Sequence, residues 1–282
     1  MPLRGKKPEE VKKRLKMFVY GKAGVGKSTL ALSFPNVYMI DTEEGSENSQ
    51  YMELLKANNG LYYQTRSFND LVTEVRTLLT EPHEFKTLVI DPLTGIYSDL
   101  CDAQAAKVGT DFGRNVMAAN KELKRLLALL LDLDMNVIIT SHSKREYGHN
   151  MAVIGETYDC YKKLDYLFDL VLELQKVGKR RSAVVKKTRI KTFKDEEEFD
   201  LSYSEIAKRY DADVLNSAAV QVELASDEQL KELKHLITLL HVAESTVDGW
   251  LTKAKVECLE DLQAPVALKI IDGLKTKVNT KE

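Results

Sequence analysis

A phosphate-binding pattern lies near the start of the chain, in Gly21, Gly26, Lys27 and Ser28. Glycines let backbone N–H groups converge on phosphate oxygens, and the helix that begins near Gly26 directs its positive end at the same charge. In this pattern the lysine reaches the β- and γ-phosphates of a nucleotide, and the serine hydroxyl ligates Mg²⁺. The residues predicted to bind the nucleotide are Gly21, Lys22, Ala23, Gly24, Val25, Gly26, Lys27, Ser28 and Thr29.

A carboxylate for the metal is predicted at the end of another apolar stretch. Leu88 to Ile90 predicts a buried strand, which ends at Asp91. A carboxylate there can hold the Mg²⁺ shell through water. Asp91 could instead cap a following helix, because Pro92 suits the first helical position. The phosphate loop favours the metal role, so the expected cofactors are ATP and Mg²⁺, with Ser28 and Asp91 as metal ligands.

These groups require a sheet that brings strand ends together. Buried strands are predicted over residues 17–20, 37–40, 88–90 and 136–140, with helical patterns over 70–79 and 120–133. Continuous apolar strands that alternate with helices indicate an α/β fold with a mostly parallel central sheet. Chemistry in such folds lies at the carboxyl ends of the strands. Further along, residues 143–163 are predicted to be irregular, and residues 167–174 and 183–189 to form a strand pair.

Bulk composition limits the partners and the compartment. The chain has 282 residues and a net charge of −2, so any nucleic-acid binding must come from a local basic patch. The three cysteines lie far apart, which argues against zinc and disulfides and fits a reducing cytoplasm. No apolar run approaches membrane-spanning length, and residues 1–16 lack a signal-peptide core, so no membrane association is expected.

Two further predicted strands end in polar groups, Asp41-Thr42-Glu43-Glu44 and Thr140-Ser141-His142. The first stretch resembles the RecA recombinase class, in which a glutamate after the second strand polarises water. The second resembles the strand end at which RecA-class proteins carry a polar γ-phosphate sensor; recombinases usually have Gln there, and ring helicases of the same class often have Ser-His. The resemblance implies a RecA-like P-loop NTPase core, with Glu43 as catalytic base, Glu44 as reserve candidate and His142 as sensor. A solvated acidic loop is the alternative for Glu43.

A basic hairpin follows, in which Lys187 and Arg189 have the spacing of a Lys-x-Arg pair. Some RecA-class enzymes place such a pair here, where it reaches the ATP of the neighbouring subunit. A cation that acts in trans contributes about 10³- to 10⁵-fold to the rate. The resemblance thus implies a homo-oligomer, either a ring or a filament. A solvated or DNA-contacting face is the alternative.

The resemblance from Lys16 to Arg189 is to phage-encoded RecA-like ATPases of recombination modules, the Sak-four type. Residues 111–115, before the long predicted helix, are also similar to that family. It implies action on single-stranded DNA in a bacterial cytoplasm, alongside a single-strand annealing or single-strand-binding protein. It also implies DNA-binding loops at residues 106–114 and 143–163, with Tyr147 or Tyr158 stacking on bases. The implied phosphate contacts are Arg114, Lys144, Arg145, Lys162 and Lys163.

The last part of the chain has a separate, purely helical pattern. Ser226 and Gln229 fit a capping box, and apolar residues then recur at helical spacing. The predicted organisation is an ATPase core over residues 1–220 and a small three-helix module over residues 221–282. The module is expected to recruit DNA or a protein partner, or else only to stabilise the fold.

Two other functions fit parts of the pattern. Lys22, early in the phosphate loop, resembles the signature lysine of the deviant P-loop class of partition and positioning ATPases. The acidic stretch that begins at Asp41 differs from the Asp-x-Asp-Pro usual in that class. The other alternative is a nucleotide-gated adaptor or helicase loader that hydrolyses little ATP.

Overall fold

A mixed sheet forms the centre of the protein in its computed structural model, which describes residues 13–43, 49–148 and 152–279. The order along the sheet is β3-β2-β4-β5-β1-β7-β8-β9, and β6 pairs with an extension of β5. The strands in the described residues are β1 (Lys16–Gly21), β2 (Val37–Asp41), β3 (Leu61–Gln64), β4 (Thr87–Asp91), β5 (Asn136–Tyr147), β6 (Val153–Tyr158), β7 (Leu170–Val177), β8 (Arg180–Thr188) and β9 (Glu198–Asp200).

The six strands from β3 to β7 in this order are parallel, so their carboxyl ends lie at one edge. Gly21 pairs with His142 on one side, and Asp41 pairs with Asp91. Every residue of β1 and of β4 is buried, as expected for strands covered on both faces. The α/β fold class predicted from the sequence is therefore confirmed.

Helices cover both faces of this sheet, and separate apolar clusters pack on its two sides. Those that precede the C-terminal module are α1 (Lys27–Leu32), α2 (Ser49–Ala57), α3 (Phe68–Thr80), α4 (Leu93–Val108), α5 (Arg114–Asp132), α6 (Tyr203–Tyr210) and α7 (Ala212–Asn216). Among the helices of the described residues, none combines the length and the apolar composition that a membrane span requires.

The prediction that residues 143–163 are irregular was wrong for much of this segment. β5 continues past the sheet to Tyr147 and pairs with β6 in antiparallel fashion, Ser143 opposite Tyr158. Burial along β5 changes from complete at residues 136–141 to exposed at residues 144–147. The outer half of the strand is polar because it leaves the core, and so it lacks the apolar signal of a buried strand.

The three predicted C-terminal helices are present, as α8 (Asp227–Leu239), α9 (Glu244–Ala254) and α10 (Ala264–Asn279). The predicted capping box of Ser226 and Gln229 starts α8. These helices enclose an apolar cluster of their own, centred on buried Leu233 and Leu262.

Asp261 connects this helical module to the sheet-covering helices. Its carboxylate accepts hydrogen bonds from Arg76 of α3 at 2.9 Å and from Arg125 of α5 at 2.8 Å. The Asp261 side chain is 2% exposed, whereas both arginine side chains are 32% exposed. The hydrogen bonds with Asp261 raise the pKa of Arg125 above its ordinary value.

We expect Asp261→Asn to lower the free energy of unfolding by about 3–5 kcal/mol, the usual cost of breaking a buried ion pair. Urea unfolding measures this. The control is Glu232→Gln in the same module, which breaks an exposed pair with Lys275 at 2.7 Å and should cost less than about 1 kcal/mol. Equal small effects of the two substitutions would contradict the anchoring role of Asp261.

Candidate nucleotide-binding site

The loop between β1 and α1 depends on two glycines. A methyl group at Gly21 would lie 2.7 Å from the carbonyl oxygen of Leu174, so the neighbouring strand leaves no room for a side chain. Gly26 has a φ of 108° at the start of α1, a conformation that other residues adopt only with strain. The backbone can therefore close on a phosphate group here.

The Lys27 amine lies inside this loop. It donates to the carbonyl oxygens of Gly21 at 2.8 Å and Lys22 at 3.0 Å. Burial lowers its pKa, while Asp91 and Glu43 act in the opposite direction. These bonds hold the cation at the mouth of the loop, where phosphate oxygens could replace the two carbonyls.

Asp91 ends β4 beside the loop and is almost fully buried. The Thr140 hydroxyl donates to its carboxylate, and Ser28 also hydrogen-bonds to it. Burial raises the pKa of Asp91, and the hydrogen bonds from Ser28 and Thr140 oppose that rise. A carboxylate in contact with a hydroxyl is the oxygen donor set that suits Mg²⁺, whose other ligands would be phosphate oxygens and water. The residues present therefore fit the metal.

Thr140 is a contact that the sequence did not single out. It belongs to the polar end of the predicted strand over residues 136–140. Its contact with Asp91 arises because β5 lies beside β4 in the sheet.

Glu43 and His142 meet at the carboxyl edge, with Oε2 and Nε2 3.3 Å apart. Each side chain is partly exposed, 44% for Glu43 and 42% for His142. The backbone N–H of Glu43 donates to the Asp41 carboxylate at 3.0 Å, which fixes the start of the acidic stretch. Glu44, the reserve candidate, lies outside the described residues. A base and a sensor predicted separately are thus neighbours.

Thr94 fixes the position of His142 and was not predicted to have a role. Its hydroxyl accepts from the backbone N–H of His142 at 3.0 Å and lies 3.1 Å from the Ser141 hydroxyl. Thr94 stands near the start of α4, three residues after Asp91. The same short segment therefore carries Asp91, the candidate metal ligand, and Thr94, which supports the backbone of His142.

The phosphate loop and the strands around it belong to a known protein family. Residues 13–200, two thirds of the chain, match the model of an AAA domain family, AAA_24. The chain belongs to this family. The AAA domain contains the phosphate loop and Asp91, so the protein is a member of a family of P-loop ATPases. No curated protein matches the sequence.

Several solved structures are similar to this AAA domain protein at low sequence identity. The RadB recombinase is 21% identical, with a TM-score of 0.45, over 65% of this chain and 84% of that one. A DnaB-like replicative helicase is 13% identical, with a TM-score of 0.42, over 63% and 54% of the two chains. An ATPase from the type III secretion system of pathogenic bacteria is 14% identical, with a TM-score of 0.40, over 93% and 79%.

Lys187 and Arg189 lie at the opposite edge of the AAA domain from the phosphate loop. The reason is that β8 is antiparallel to β7 and ends where the parallel strands begin. The Lys187 amine donates to the carbonyls of Asp165 and Phe168, and its burial lowers its pKa. Arg189 donates to the Tyr166 carbonyl at 2.5 Å. Neither cation reaches the nucleotide site of its own chain.

The five predicted DNA contacts of the AAA domain protein are exposed but scattered over three segments. Arg114 starts α5, Lys144 and Arg145 lie on the outer half of β5, and Lys162 and Lys163 follow β6. Lys144 forms an ion pair with Asp159 at 2.9 Å.

The two tyrosines proposed to stack on bases differ. Tyr147 is exposed, near the end of the β5–β6 hairpin. Tyr158 packs edge-on against Phe18, with ring centroids 5.0 Å apart, and its hydroxyl donates to the Lys162 carbonyl at 2.7 Å. Tyr158 is half-buried against the apolar core, and both its ring and its hydroxyl are held within the chain, so the exposed Tyr147 is the better candidate for stacking on a base.

We expect Gly21→Ala to destabilise the AAA domain by about 1–3 kcal/mol and to weaken nucleotide binding, because the new methyl group displaces the loop from β7. Urea unfolding and nucleotide titration measure the two effects. Gly249→Ala in α9 is the control: no atom lies within 4 Å of its added methyl group, and alanine favours helix. Unchanged nucleotide affinity of Gly21→Ala would contradict the loop assignment.

Proposed function

We propose that this protein is a RecA-like ATPase that hydrolyses MgATP, with Glu43 orienting and deprotonating the attacking water. The contact between Glu43 and His142 carries this proposal. It joins the candidate base to the candidate γ-phosphate sensor beside the phosphate loop. A base in contact with a group that detects the γ-phosphate can act when ATP, rather than ADP, is bound.

The other site residues would bind the phosphates and the metal ion of the nucleotide. Lys27 would leave its carbonyl partners for the β- and γ-phosphates, and the backbone of residues 21–29 would enclose them. Ser28 and Asp91 would hold Mg²⁺, which neutralises charge on the transferred phosphoryl group. Thr140 would keep the Asp91 carboxylate oriented.

We propose single-stranded DNA as the partner, bound by the β5–β6 hairpin. The candidate sensor His142 lies in the same strand as two candidate phosphate contacts. Lys144 is two residues and Arg145 three residues further along the strand. The phosphate loop also touches the hairpin, because Lys22 forms an ion pair with Glu156 of β6 at 2.6 Å. That pair, together with a hydrogen bond from Ser143, lowers the pKa of Glu156.

A homo-oligomer is part of the proposal. Lys187 and Arg189 are remote from the nucleotide site of their own chain, so a catalytic role requires them to face the ATP of a neighbouring protomer. A ring or a filament supplies such a neighbour. A single-strand annealing or single-strand-binding protein is the proposed protein partner, and the C-terminal module is its proposed docking element.

We expect Glu43→Gln to reduce ATP turnover by about 10²- to 10⁴-fold, the usual contribution of a general base, with ATP affinity nearly unchanged. Steady-state phosphate release and nucleotide titration measure these effects. Glu53→Gln, at an exposed position of α2, is the matched control and should leave both unchanged. Equal turnover of Glu43→Gln and the natural chain would favour the nucleotide-gated adaptor.

A Lys22→Ala variant in the same assay separates the partition-ATPase alternative. Near-normal turnover is expected, because Lys22 pairs with Glu156 of its own chain. Abolished turnover would favour the deviant P-loop class, in which this lysine acts across a dimer.

We expect single-stranded DNA to stimulate ATP turnover at fixed moderate salt, and Arg145→Ala to weaken this stimulation by loss of a phosphate contact. Turnover measured against DNA concentration at two salt concentrations tests both statements. The control is Lys234→Ala in α8, which removes a cation paired with Glu260 at the module surface. Absence of stimulation in the natural chain would contradict the DNA-dependent function and direct attention to a protein partner.

A further inference from the structure

Arg181 lies beside the phosphate loop, although its strand, β8, is separated from β1 by β7. A methyl group at Gly26 would lie 3.3 Å from Cδ and 3.6 Å from Nε of Arg181. The same methyl group would lie 3.5 Å from Cδ2 of Leu201, whose backbone N–H donates to the Arg181 carbonyl. Leu201, the residue that follows β9, and Arg181 thus pack together against one side of the phosphate loop.

The guanidinium of Arg181 has no acidic partner among the described residues, whereas its neighbour Arg180 has two. Arg180 forms ion pairs with Asp200 at 3.0 Å and with Glu198 at 3.9 Å. Successive side chains of a strand point to opposite faces of the sheet. Arg181 therefore lies on the α1 side with buried Ala183, and Arg180 lies on the other side, bound to β9.

The sheet order indicates which end of a nucleotide Arg181 faces. Asp91, the candidate metal ligand, ends β4, and His142, the candidate γ-phosphate sensor, ends the part of β5 that pairs with β1. Both strands lie on the same side of β1. Arg181 comes from β8, two strands away on the other side of β1. A nucleotide whose γ-phosphate lies near Asp91 would extend its α-phosphate toward β8.

We propose that Arg181 is a nucleotide-binding residue of its own chain, and that its guanidinium contacts the α-phosphate. The assignment rests on the proposed ATPase function. Arginine forms charge-assisted, geometrically directed hydrogen bonds with phosphate oxygens, and it stays charged at any physiological pH. Glycine at position 26 leaves open the space between the loop and this side chain.

The test is nucleotide titration of the full chain with ATP and with ADP, for the natural chain, Arg181→Ala, Arg181→Lys and Arg180→Ala. We expect Arg181→Ala to weaken binding of both nucleotides about tenfold, equal to about 1.4 kcal/mol, with the ratio of the two affinities unchanged. Arg181→Lys should recover part of the loss because it keeps the charge. Arg180→Ala, the adjacent and equally basic position, should bind both nucleotides as the natural chain does.

The outcomes separate this assignment from the proposed function. Normal ATP and ADP binding by Arg181→Ala, or a loss confined to ATP, would overturn the α-phosphate assignment while the ATPase proposal stands. Equal losses in Arg180→Ala and Arg181→Ala would also overturn it, because general charge would then explain them. Failure of the natural chain to bind either nucleotide would overturn the proposed function and Arg181 with it.

Discussion

The buried carboxylate of Asp91 is the constraint on which the candidate site depends. A charge removed from water is costly unless hydrogen bonds and opposite charge compensate it. Its partners come from different elements: Ser28 from α1, Thr140 from β5, and the nearby cation Lys27. All of them must be in position at once, so the alignment of β1, β4 and β5 and the shape of the phosphate loop are specified together. The same alignment places His142 near Glu43.

Local signals made much of this architecture predictable. The phosphate loop has a fixed spacing and follows an apolar strand, and the predicted strands over residues 17–20, 37–40, 88–90 and 136–140 are confirmed. The prediction did not include β3, whose residues are partly exposed and lack a clear period. It also did not include the β5–β6 hairpin, because its polar strands leave the core. Thr140, Thr94 and Arg181 depend on which strands are neighbours, and strand order is set by long-range packing rather than by local sequence.

The hydrogen bonds and ion pairs around the loop form two groups. Asp91, Ser28 and Thr140 lie in the buried part of the carboxyl edge, where a low dielectric strengthens each contact. Lys22 and Glu156 lie at the surface, where water and salt screen their attraction. The buried group suits a permanent framework, whereas the surface pair can exchange when a phosphate or another anion competes for Lys22. The loop thus combines fixed hydrogen bonds in its buried part with an ion pair at the surface that can rearrange.

β5 is one continuous strand, with residues 136–141 buried between β1 and β4 and its outer end in solvent. Sliding this strand by one residue would turn its apolar side chains from one face of the sheet to the other, so the core forbids such a slip. Along this strand, a change at the nucleotide edge can therefore reach the hairpin as a rotation or a bend about residues 142–143, but not as a slide. Because residues 136–141 are held in the sheet, a small tilt of the strand at residues 142–143 would move the exposed end of the β5–β6 hairpin over a larger distance.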